Sequence, residues 1–237
     1  MFRSTNLREF DSFASYLGAV SNDFCPFIKP AQEDGVLLFS EYYLKEGAAQ
    51  ILEEDIFYIG ILHTELLRKE RRVQKTRRAH DLFSENILFR LPKNAELAGP
   101  ELFAWPHWLL KLLYTKVSIM FGKFWEGEQD TSRDGRQIPI PPNNFLSIRS
   151  AIKPIDIRFF TKAPQLTDEH IYSCDSGESV FGQVTGMKVP YAIMKAELLD
   201  PFGVTADLFL QMVMEMRKTQ FYTELRLWGQ DLLVKQQ

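Results

Sequence analysis

The chain predicts an α+β protein, with a mainly antiparallel central sheet flanked by helices and a C-terminal helical extension. Three observations lead there. Four short runs rich in branched and aromatic residues are bounded by turn residues, as strands are. Between and after them lie stretches of helical periodicity or of uninterrupted helix formers. The 237 residues are 45% hydrophobic and 25% charged, enough apolar material for one substantial core in the globular class.

The elements follow in order. Leu7, Phe10, Phe13, Leu17 and Val20 recur near helical spacing and predict a short amphipathic helix. Asn22-Asp23 then turns the chain into an aromatic loop, Phe24-Cys25-Pro26-Phe27. After Gly35, "VLLFSEYYL" (36–44) reads as the first strand. Ile56 to Leu62 is apolar, and a strand and a helix start both remain open there. From Thr64 to His80, "TELLRKERRVQKTRRAH" has neither Gly nor Pro and predicts a polar, basic helix. "ENILFRL" (85–91) is a second strand, ended by Pro92. "ELFAWPHWLLKLLYTK" (101–116) predicts a helix whose regular part begins after Pro106.

A third strand covers about Val117 to Trp125, and "NFLSIRSAI" (144–152) is a fourth. The loop between them, 126–142, is longer than a hairpin needs. Residues from 161 onward are turn-rich, then helical from about Val204 to Val234 with a narrow polar stripe. The organisation expected is an α+β core over 1–160 and an extension over 161–237 packed on that core.

"SIMFGKFW" (118–125) is apolar on both of its alternating faces, which predicts a central strand covered above and below. Gly122 would admit a close approach there. Lys123 among aromatics would reach the sheet edge, stack on a ring or meet an anion.

Composition excludes several classes. A net charge of -3 argues against a generally basic nucleic-acid binder. Two cysteines, Cys25 and Cys174, do not make a disulfide scaffold, and a reducing cytoplasm is expected. The N-terminus has no long apolar run, and no segment approaches the roughly 20 apolar residues that span a bilayer. The sequence has no GxGxxG or GxxxxGK[ST] motif, and in "DSGESVFG" Phe181 stands where a nucleophile elbow needs glycine.

The candidate site residues each carry a functional and a structural reading. Cys25, next to Pro26, is a thiol of the kind that ligates haem iron, or a buried inert cysteine. His107, between Trp105 and Trp108, is the strongest of the four histidines as an axial or metal ligand, against a histidine satisfied at a helix start. Lys123 and Arg149 would hold a carboxylate or phosphate if their strands are neighbours, with Trp125 beside them. Asp156 would instead satisfy Arg149 internally. The basic stretch Arg68 to Arg78 offers electrostatic steering of a partner, against a solvated helix face.

Met120, Gly122, Phe124, Pro139, Pro141, Leu146, Ile148, Arg149, Asp156 and Phe159 form a pattern over roughly residues 20 to 160. In this it resembles an uncharacterised domain family associated with bacterial natural-product biosynthesis. Ser118 stands where that family tends to have glycine, and Trp125 where a histidine is expected. More distantly, the layout of an aromatic cysteine segment, a tryptophan-bearing helix and a strand pair is similar to YqcI/YcgG-type domains, one branch of which contains haem-dependent N-hydroxylases. The resemblance implies a small biosynthetic oxidoreductase, a haem-dependent oxygenase acting on an anionic amino-acid-like substrate, with His107 or Cys25 as iron ligand. The alternative is a non-catalytic binding or assembly protein. It would self-associate through the apolar C-terminal helix and use the basic 64–80 helix for steering.

Overall fold

The four strand runs come together in one sheet, and its directions are mixed. The computed structural model describes residues 3–4, 11–152, 156, 175, 177–184, 186–196, 198–200 and 203–234. The strands are β1 (Arg3–Ser4), β2 (Leu37–Tyr43), β3 (Ser84–Arg90), β4 (Ile119–Phe124) and β5 (Asn144–Ser150), in the spatial order β1-β2-β3-β5-β4. β2 and β3 run parallel. The other neighbours are antiparallel. A parallel pair needs a long crossover, and here that crossover is helical.

The helices are α1 (Asp11–Asp23), α2 (Ile28–Glu33), α3 (Ala49–Arg72), α4 (Arg77–Leu82), α5 (Gly99–Leu102), α6 (Ala104–Tyr114), α7 (Tyr191–Ala196), α8 (Ala206–Arg217) and α9 (Phe221–Val234). The helix expected from Leu7 is thus described from Asp11, with Leu7 and Phe10 outside the described residues. α6 begins two residues before Pro106, in a first turn where the missing proline N–H has no intrahelical partner to lose.

Strand register sorts the side chains. Phe39 and Phe145 meet Phe13 of α1 on one face, with ring centroids 6.2 and 4.8 Å apart. The opposite face carries Ser40, Tyr42, Glu85, Phe121 and Ile148 toward α3 and α6. Phe181 packs on both Tyr114 and Phe221, so the described part of the C-terminal third shares this core.

The expectation for the third strand needs correction. Among the described residues β4 is the edge strand, paired with β5 alone. Its Ile119 and Phe121 are buried, while Met120 to Phe124 are otherwise half-buried. Apolar residues on both faces show that a strand is covered. They carry no information about how many ladder neighbours it has. Gly122 has a packing reason: a Cβ there would lie 2.8 Å from the ring of Phe124, which folds back to stack on Phe145 at 4.5 Å. Ser118, just before β4, has φ 57°, a conformation that favours glycine.

α3 resolves the open reading at Ile56–Leu62 as helix, and it corrects the basic helix as well. The 64–80 stretch ends α3 at Arg72 and restarts as α4, which Thr76 caps by accepting from the Ala79 N–H. Most of α3 is buried, including Glu53, Glu54, Asp55, Arg68 and Arg71. It is surrounded by the sheet, α6, α7 and α8, so its charges face protein, and the solvated face expected there is absent over this part. The single C-terminal helical region is two helices, broken where Gln220 takes φ 59°. α8 buries Phe209, Val213 and Met216, one helical stripe. Among the described residues no helix is long and apolar enough to cross a membrane.

Candidate functional site

The free edge of β4 is closed by a side chain. With no second strand beside it among the described residues, β4 exposes main-chain groups that need other partners. His107 of α6 supplies one: its Nε2 donates to the carbonyl oxygen of Phe121 at 3.0 Å. The proton is therefore on Nε2 when the ring is neutral. Burial pulls the His107 pKa down to about 4; the Phe121 carbonyl opposes this, and Lys111 and Lys123 add to it. The imidazole is neutral at pH 7.

That contact brings two cations together. Lys111 lies one helical turn after His107, on the same side of α6. Lys123 lies two residues after Phe121, on the same face of β4. Both lysines are half-buried. Burial, and then the charge of Lys123, lower the Lys111 pKa. Among the described residues neither lysine has an ion pair or a hydrogen bond. Glu128 is close enough for Lys123 to oppose the rise that burial imposes on its carboxyl, without forming a contact. Trp125 continues the Lys123 face, half-buried beside Gly99 at the start of α5.

The other expected site residues lie elsewhere. Arg149 pairs across the ladder with Met120, so it points to the face opposite Lys123. It forms a two-pronged pair with Asp156, at 2.7 Å for each oxygen, and stacks on Phe27 at 4.2 Å. The internal reading of Asp156 is the one realised. Cys25 is a free, half-buried thiol following α1. It lies on the Arg149 side of the sheet, away from His107. His107 and Cys25 thus do not share a site, and the Nε2 a haem iron would need is held by Phe121. With that nitrogen engaged, His107 does not fit as an iron ligand. Among the described residues no three His, Cys, Asp or Glu side chains group to hold another metal. His170 and Cys174 lie outside the described residues.

Sequence reasoning missed a second set of polar residues, all deep under the sheet. The ring nitrogens of His63 lie 2.8 Å from Glu85 Oε1 and 2.7 Å from the Tyr42 hydroxyl, and Ser40 Oγ donates to the same Glu85 oxygen at 2.6 Å. Further along α3, Arg68 grips Asp175 with two bonds of 3.0 and 2.8 Å, and Arg71 adds a third at 2.5 Å. Glu65 accepts from Arg68 and from the Tyr114 hydroxyl. His63 and Glu85 have no exposure, and Arg68 and Arg71 have 1% and 2%. A substrate cannot reach them, so these networks fix α3 against the sheet. Ser40 and Tyr42, polar at alternating positions on a face expected to be apolar, were the available signal.

A third feature lies on the surface. α7 and α8 enclose a groove of about 560 Å³, mainly apolar. Comparison of the chain with family models, with curated proteins and with solved structures finds no match.

Proposed function

We propose that this protein binds a small anionic molecule, through a carboxylate or a phosphate, at the seam between α6 and β4. Lys111 and Lys123 supply the charge. Neutral His107 holds the helix to the strand edge and so fixes the separation of the two ammonium groups, and Trp125 forms the flanking wall.

One observation carries this reading: two half-buried lysines stand together, with no carboxylate among the described residues against either. A buried charge is ordinarily paired, and like charges brought close disfavour each other's charged form. An anion between them relieves both costs at once. The anionic-substrate part of the sequence expectation is kept in this form, and the reading needs no haem.

The test is calorimetric titration with inorganic phosphate and, separately, with glutamate, of the native chain and of the Lys111→Met/Lys123→Met variant. At low ionic strength the native chain should bind one of the two probes, and the variant should bind at least about tenfold more weakly. Added salt should weaken native binding, because charge dominates it. Equal affinity in both proteins, or no uptake of either probe at millimolar concentration, would overturn the proposal.

A further inference from the structure

Large apolar side chains left in water are concentrated on the C-terminal helices. Tyr191 is 65% exposed, Met194 57% and Leu198 81%, all on or next to α7. Beside them lies the groove, floored by Leu199, Leu208, Met212 and Met216, with Lys195 of α7 and Glu215 of α8 on its two sides. One patch therefore carries both a hollow and the protrusions to fill it. A small ligand seated in the hollow would leave Met194 and Leu198 wet. A protein surface would cover them, which is the usual meaning of an apolar patch that extends past a pocket.

Self-complementarity narrows the choice of protein. In a twofold pair the same patch meets itself, and each element faces a different one across the axis. Here the protruding element is α7 with a cation and the receiving wall is α8 with an anion. Among the described residues, Lys195 rests over its own Tyr191 ring at 4.7 Å and makes no ion pair, while Glu215 is held only by exposed Lys218. We infer that two copies of the chain pair through this groove, α7 of each entering the hollow of the other and Lys195 meeting Glu215 of the partner subunit.

Sedimentation velocity of the full chain, without added ligand, tests this separately from anion binding. A concentration-dependent dimer is expected between about 1 and 100 µM, a weak to standard affinity for an interface of this kind. Leu198→Asp should weaken it at least about tenfold, since one buried charge at an interface centre costs more than 1.4 kcal/mol. Lys195→Glu should also weaken it, and adding Glu215→Lys to that variant should restore it. Leu198, Lys195 and Glu215 are outside the core, so unchanged circular dichroism will show that the fold is intact. A chain that stays monomeric at 100 µM, a dimer indifferent to Leu198→Asp, or a charge swap that restores nothing would each overturn the inference.

Discussion

Two groups of cations differ in burial and in pairing. At the C-terminal end of α3, Arg68 and Arg71 are almost fully buried, and both are bound to Asp175. At the α6–β4 seam, Lys111 and Lys123 are only half-buried, and among the described residues they have no carboxylate in contact. In the first region the charge is satisfied from within, so its role is to lock helix, sheet and C-terminal segment together. In the second, among the described residues, no carboxylate meets it, and the proposed anion site rests on that difference. Exposure alone would rank the two the other way, since the more deeply buried charges look the more unusual. Pairing is what separates structure from binding.

The comparison breaks most sharply at Asp175. Its carboxyl is raised by burial but lowered more by Arg68 and Arg71, to a net value of about 2. Asp175→Asn removes the carboxylate that two buried guanidinium groups share, leaving Glu65 to Arg68 alone, and urea denaturation should show a loss of about 3–5 kcal/mol. A loss under about 1 kcal/mol would mean that the arginines are satisfied without it, and the contrast between the regions would collapse.

Next in size is the pH response of the seam. The His107 pKa lies near 4 in the folded chain, against about 6.5 unfolded. A depressed value means that the unfolded chain takes up the proton first. Stability from this group is complete above about 6.5 and is lost as pH falls toward 4, on the order of 3 kcal/mol. Asp55 works in the opposite sense. Burial pushes its carboxyl up to about 6 against the pull of Arg217, so its share is present at low pH and lost as pH rises through that value. The measurement is therefore a difference. His107→Gln keeps an N–H donor without the titration, and its stability should fall less than that of the native chain between pH 6.5 and 4. Parallel curves would remove His107 from the account.

The smallest effect sharpens the comparison instead of breaking it. Lys111→Met removes a cation that has no partner among the described residues, so the melt should stay within about 1 kcal/mol of the native chain or rise. Asp175→Asn and Lys111→Met thus predict opposite outcomes for removing one member of each region. A large destabilisation by Lys111→Met would show that its ammonium group has a structural partner.

Much of this fold was legible. β2, β3 and β5 fall within a residue or two of the runs at 36–44, 85–91 and 144–152, because alternation and turn residues are local signals. His107, expected either as an iron or metal ligand or as a histidine satisfied at a helix start, bonds a main-chain carbonyl. Lys111 was missed, yet its place four residues after His107 puts it on the same helical face, a signal that was there to use. Arg68 and Arg71, expected on a solvated or partner-steering face, are buried, which no local signal shows because Asp175 lies more than a hundred residues further along the chain. Lys123 and Arg149 were joined in one site because both belong to neighbouring strands. Register placed them on opposite faces.

The sequence by itself determined where most strands and helices fall and which residues share a face, since backbone geometry imposes periods of about 2 and 3.6 on any chain. Only the tertiary structure decided that β4 lies at the edge, that β2 and β3 run parallel, and which cations find a carboxylate. Those outcomes depend on contacts between residues far apart in the chain, and no local period records which distant group will arrive.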